Sequence, residues 1–229
     1  MSKRKAEIEK MVDKTKVYAL GDAIDLLKQS ARTKFDETVE LHVRLGIDPK
    51  KSDQLVRGTV VLPHGIGKSR KVAVVAKGEK VKEAEDSGAD TVGGEDLIEK
   101  ISKGWLGFDV LVATPDVMKD LSKLGKLLGT KGLMPSPKSG TVTFEIARTV
   151  KELKTGRVEF KNDEYGIIHC PVGKVSFDKE KLTENISDFL DAVVRAKTPA
   201  TKGHYLLSVT LSSTMGPGIR IDAVGILNK

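Results

Sequence analysis

The chain has 229 residues, 39% hydrophobic and 31% charged, and Lys plus Arg outnumber Asp plus Glu by 39 to 32. That is an ordinary globular composition, with length for one large domain or two of about a hundred residues each. The single cysteine, Cys170, excludes an internal disulfide and a paired-cysteine zinc site, and aromatics at 4% are too few for base stacking as the main mode of nucleic-acid contact.

Residues 1–16 are charge-rich and read as a tethered, partly helical arm. No apolar segment follows the basic start MSKRKAEIEKMVDK, so it does not read as a secretory signal, and no run reaches membrane-spanning length. Such a chain, with one thiol, suits a reducing cytoplasm. From Tyr18 to Ala31, Leu20, Ile24, Leu27 and Ala31 recur at helical spacing. Lys34–Asp48 then switches to period two, with Val39, Leu41, Val43, Leu45 and Ile47 on one side and Thr38, Glu40, His42 and Arg44 on the other. Asp48-Pro49 ends this strand. A second strand is expected over Gln54–Leu62, with Leu55, Val60 and Leu62 on one face and Val56 and Val61 on the other.

After Pro63-His64-Gly65-Ile66-Gly67-Lys68 the grammar changes to short apolar runs alternating with helices. Lys71–Ala76 and Asp109–Thr114 read as strands covered on both faces, with a shorter one at Thr91-Val92. Helices are expected over Glu79–Ser87 and Glu95–Lys103. A third opens at Pro115 with Thr114 as its cap and carries Val117, Met118, Leu121, Leu124, Leu127 and Leu128. A Gly/Pro loop, Gly129–Thr141, leads to a last helix near Ile146–Lys154. This alternation predicts a Rossmann-like open sheet of mostly parallel strands.

At Gly156 the earlier grammar returns. Strands are expected over Arg157–Lys161 and Ile167–Val172, and a helix over Asp178–Lys197 with Leu182, Ile186, Phe189, Leu190 and Val193 inward. The strand Tyr205–Leu211 places Leu207, Val209 and Leu211 on one face and Ser208, Thr210 and Ser212 on the other, and Ile219–Ile221 closes the chain. The economical reading is an α+β domain split in sequence, residues 1–66 plus 158–229, with an α/β Rossmann-like domain inserted at 67–157. Three small domains in succession is the competing reading, and each end segment is too short to bury a core alone. The crossings carry Gly65, Gly67 and Gly156, which suit hinges.

Several motifs test other functions. Gly65-Ile66-Gly67-Lys68-Ser69 has the end of a phosphate-binding loop, but Leu62 stands where its first glycine belongs and a strand follows instead of a helix. The turn Lys77-Gly78-Glu79 lacks the glycines of a dinucleotide cradle. No HExxH occurs, and His169 and Cys170, adjacent in a strand, point to opposite faces, with Cys170 as a small core residue. No cofactor, metal site or catalytic residue is expected. The loop with Lys131 and Lys138 reads as a connector or a phosphate contact. The strongest chemical feature is the split domain's polar face: Thr38, Glu40, Ser208, Thr210 and Thr214, with Lys34, Arg44 and Lys161 at its edges. Short hydrogen-bonding side chains on a rigid sheet suit the shape, 2′-hydroxyls and phosphates of folded RNA. A nucleotide-dependent enzyme and a purely protein-binding scaffold are the rival classes.

Six stretches carry a resemblance: Lys34–Glu40, Leu45–Pro49, Arg57-Gly58-Thr59, Leu62–Gly65, Gly129–Pro135 and Thr214–Pro217. In order and in kind they resemble the bacterial large-subunit ribosomal protein of the mobile stalk at the tRNA exit site, the family numbered one among large-subunit proteins. The resemblance implies the inserted-domain fold and a non-enzymatic part of the 50S subunit that binds 23S ribosomal RNA, free of membranes and monomeric when unbound. It also implies help in releasing exit-site tRNA and repression of its own operon through the mRNA. The RNA contacts it implies are Lys34, Phe35, Thr38, Glu40, Ser208, Thr214, Met215 and Gly216, together with Lys161 and His169. Lys131 and Lys138 become secondary contacts.

Overall fold

The structure, a computed structural model, describes residues 8, 11–13, 15–201 and 203–222. The chain divides into two compact units, Met1–Gly67 with Val158–Lys229, and Lys68–Arg157.

In the first unit the period-two stretch forms β1 (Thr38–Leu45), whose Val39, Leu41, Val43 and Leu45 are buried. Each such side chain contributes roughly 1.5–3 kcal/mol on burial. The later elements are β7 (Ile167–Lys174), β8 (Leu206–Ser213) and β9 (Ile219–Ile221). They build an antiparallel four-stranded sheet in the order β7-β1-β8-β9. Pro171 is tolerated because β7 is an edge strand. Helices α1 (Leu20–Ser30) and α7 (Lys179–Arg195) belong to the same core as the apolar face, through Ile24, Leu27, Leu182, Ile186, Phe189, Leu190 and Val193. A ribbon of β2 (Arg57–Val61) and β6 (Arg157–Lys161) joins that core, with Phe160 edge-on to Phe189. Cys170 is buried in it, and His169 points the other way.

Three details of this unit differ from the sequence reading. β2 starts at Arg57, after a 3₁₀ turn at Ser52–Gln54, and Val56, Val60 and Leu62 face inward while Leu55 and Val61 are exposed. Strict parity places the even-numbered residues on one face; Leu55 belongs to the other. Leu207 does not share the apolar face with Val209 and Leu211. The register passes from Arg44↔Ser208 to Leu45↔Leu206, so Leu207 is the extra residue of a bulge, 53% exposed, and Leu206 packs on the core instead. The arm expected over residues 1–16 lies mostly outside the described residues; Ile8 and Val12 within it are buried.

The second unit is built on β3 (Val72–Val75), flanked in parallel by β4 (Thr91–Gly93) and β5 (Val110–Ala113), in the order β4-β3-β5. Every residue of β3 is buried because both faces are covered. Val72 and Val74 pack with Ala84 of α2 (Glu79–Asp86) and with Ile146, Val150 and Leu153 of α6 (Ile146–Thr155). Ala73 and Val75 pack with Leu97 and Ile101 of α3 (Glu95–Ser102) and with Val117, Leu121 and Leu128.

The helix expected from Pro115 is broken into 3₁₀ turns at Pro115–Val117 and Ser122–Leu124 and two short helices, α4 (Met118–Leu121) and α5 (Gly125–Thr130). Gly125 and Gly129 are poor helix formers in a stretch this short. Thr114 does not cap it by its side chain: the Val117 amide bonds to the Thr114 carbonyl, and the hydroxyl is buried without a partner among the described residues.

Candidate nucleic-acid interface

The helices cover one face of the four-stranded sheet; the other carries polar side chains in rows across the strands. Glu40 stands opposite Pro171 on β7 and Ser212 on β8. His42 stands opposite His169 and Thr210, and Thr210 opposite Arg220 on β9. Arg44 stands opposite Ile167 and Ser208. β1 and β8 are therefore direct neighbours, which brings Thr38 and Glu40 onto one surface with Ser208 and Thr214. Ser208 is exposed and Thr210 half-buried, and neither hydroxyl bonds to another described residue.

One rim of this face is organised by Glu37, only 2% exposed. Its Oε1 accepts the Thr33 hydroxyl at 2.8 Å, and its Oε2 accepts the Ser213 hydroxyl at 2.7 Å and the Met215 amide at 2.9 Å. The Thr214 hydroxyl accepts the Thr38 amide at 3.0 Å, and the Thr214 amide donates to the Thr38 carbonyl at 3.1 Å. Lys174 donates to the Thr38 hydroxyl at 2.9 Å. Gly216 is required by close approach, since a Cβ there would lie 2.5 Å from Ser213 Oγ. These bonds fix the backbone and leave Phe35 and Met215 exposed at 56% and 57%, with Lys34 exposed beside Phe35. Lys174 had no signal in the sequence beyond its charge, and Glu37 was marked only by lying in the Lys34–Glu40 stretch of resemblance; the bonds to Ser213 and Thr38 span more than 130 positions.

The middle of the face holds a chain of polar atoms. His42 Nε2 lies 2.9 Å from Ser212 Oγ, and His42 Nδ1 lies 2.8 Å from His169 Nδ1. His169 Nε2 lies 3.4 Å from Asp163 Oδ2. Burial, then the neighbouring His169, hold His42 below its ordinary value, against an opposing pull from Glu40. Burial alone would raise Asp163, but the amides of Ile167 and Tyr165, and His169, hold it low.

The remaining expected residues are carried by elements other than the four strands of this sheet. Lys161 is exposed on the β2–β6 ribbon, whose outer face also carries the Arg57–Glu159 ion pair. Gly65, Gly67 and Gly156 all have positive φ, at 63°, 70° and 132°. The first crossing is tied down by the buried Asn185. Its side chain accepts the His64 amide at 3.2 Å and donates to the carbonyls of Gly65 and Val172 at 2.9 and 2.8 Å.

Lys131 and Lys138 are exposed in the second unit. Their loop is braced by Ser136, Ser139 and Thr141, and a parallel bridge pairs Val142 with Ala113. Among the described residues no group of three or more His, Cys, Asp or Glu could hold a metal ion, and no helix is long and apolar enough to cross a membrane.

The arrangement suits a rigid, hydrogen-bonding partner that follows a strand surface. A protein-family model described as "Ribosomal protein L1p/L10e family" matches residues 27–217 of this chain.

Proposed function

Since this chain belongs to the ribosomal protein L1p/L10e family, and is thus a non-enzymatic structural protein of the large ribosomal subunit that binds ribosomal RNA, we propose that it holds 23S ribosomal RNA on the polar face and rim of the four-stranded sheet. The observation that carries this reading is the rim itself. A buried carboxylate and a reciprocal Thr38–Thr214 pair fix the backbone beside two exposed apolar side chains, Phe35 and Met215. Such a surface offers hydroxyls to 2′-hydroxyls and phosphates and apolar contacts to sugars and bases.

In this reading the discontinuous unit is a split RNA-binding domain and Lys68–Arg157 an inserted α/β domain. The glycines at the crossings let the insert move, and Lys131 and Lys138 give it secondary phosphate contacts. The resemblance of the six sequence stretches to the bacterial stalk protein supports the wider role: a cytoplasmic protein, monomeric when free, that assists release of exit-site tRNA and represses its own operon by binding the mRNA.

The test is to join residues 1–67 directly to 158–229. The joined protein is expected to fold cooperatively and to protect the same nucleotides as the full chain in nuclease footprinting on total ribosomal RNA. A folded joined protein that protects nothing, while the full chain does, places the site elsewhere.

A further inference from the structure

The Ser212–His42–His169–Asp163 chain lies on this face but includes two residues, Ser212 and His42, that the resemblance does not assign. Its geometry limits how protons can be arranged. Two ring nitrogens 2.8 Å apart share one hydrogen, so one Nδ1 donates and the other accepts. Without an added proton, one order satisfies every atom. The Ser212 hydroxyl donates to His42 Nε2, His42 Nδ1–H donates to His169 Nδ1, and His169 Nε2–H donates to Asp163. With one added proton one of the two rings is an imidazolium and the pair still shares a single Nδ1 hydrogen. His42 Nε2–H then donates to Ser212 Oγ, and His169 Nε2–H donates to Asp163. A second added proton would set two N–H groups against each other. The pair thus holds zero or one extra proton.

That proton sets the polarity of Ser212. In the neutral order its hydrogen is committed to His42, and Ser212 can only accept from a ligand. In the protonated order its hydrogen is free. We propose that Ser212 donates a hydrogen bond to a phosphate oxygen of bound ribosomal RNA, and that the His42–His169 pair takes up one proton as this contact forms. The proposal rests on the reading that RNA binds this face.

The charges facing the pair favour that coupling. Asp163 faces His169 from the turn before β7. On β1, Glu40 lies 3.9 Å from His42 Nε2 and stands opposite Ser212, where its charge opposes a phosphate unless a proton offsets it. Arg44 is exposed two residues further along β1, and Arg220 on β9 is exposed opposite Thr210. The polar-face residues of β7 and β8 between Ile167 and Pro171 and between Ser208 and Ser212 add no other charge. Burial disfavours a charged His42 in the free protein.

The experiment titrates the full-length protein against transcribed 23S ribosomal RNA at pH 6 and pH 8, with calorimetry in two buffers of different ionisation enthalpy. A complex that holds more protons than its parts forms more tightly as pH falls, so affinity is expected to be on the order of tenfold higher at pH 6, with buffer-dependent heat. His42→Gln and Ser212→Ala flatten the profile, whereas Ser208→Ala lowers affinity and keeps the slope. Equal affinity at both pH values with buffer-independent heat overturns the proton coupling and leaves RNA binding standing. Absence of binding at either pH overturns the surface assignment and the coupling with it.

Discussion

The two sheets of this protein solve opposite problems. In the parallel sheet β4-β3-β5 the central strand β3 is buried on both faces, so it carries no side chain to a partner, and loops such as Gly129–Thr141 reach outward. The antiparallel sheet β7-β1-β8-β9 is covered on one face, and the strands themselves display Glu40, His42, Arg44, Ser208, Thr210 and Ser212. A sheet with one open face is a rigid platform whose side-chain spacing is set by the backbone ladder. A doubly covered sheet is a scaffold for loops.

The sharpest way to break this contrast is at the rim. Glu37→Ala leaves the Ser213 hydroxyl and the Met215 amide without their buried acceptor. The expected loss is about 3 kcal/mol of stability, read in urea denaturation, together with weaker binding to ribosomal RNA. A variant that keeps wild-type stability would show that the carboxylate does not hold the rim.

A matched pair of substitutions then separates the two sheets. Val74→Ala, in the fully buried β3, is expected to cost about 2 kcal/mol of stability and to leave RNA affinity in a filter-binding assay unchanged. Ser208→Ala, on the open face, is expected to leave the melting transition in place and to weaken binding by about 1 kcal/mol. Reversal of either result would dissolve the division of labour.

The smallest effect is on pH dependence. His42 holds its proton less tightly in the folded protein than an ordinary imidazole of pKa about 6.5. As pH falls through that value the unfolded chain protonates first. The stability present above it is therefore lost on acidification and levels off once the folded His42 also protonates. The difference in melting temperature between pH 7.5 and pH 5.5 is expected to be smaller for His42→Gln than for wild type. An identical difference would mean that the imidazole is not desolvated.

Much of the fold was legible because periodicity reports burial directly. Val39–Leu45 alternates because one face is covered, and Val72–Val75 is uniformly apolar because both are. The helix Lys179–Arg195 was legible from the spacing of Leu182, Ile186, Phe189, Leu190 and Val193. Parity alone misplaces Leu207, because a bulge shifts the alternation without leaving a mark in composition. The stretch after Pro115 matches a helix in apolar spacing, yet its glycines favour broken, tighter turns.

The sequence by itself determined which residues form the apolar and polar faces of β1, the alternation that makes the central sheet parallel, and, through six stretches of resemblance, the family. Tertiary structure alone decided that β8 lies against β1, that Glu37 closes under Met215, and that His42 meets His169. Local patterning sets what each segment buries, a property of neighbours in the chain. Strand pairing is settled by which burial satisfies all segments at once, and so groups 127 to 178 residues apart come within hydrogen-bond reach.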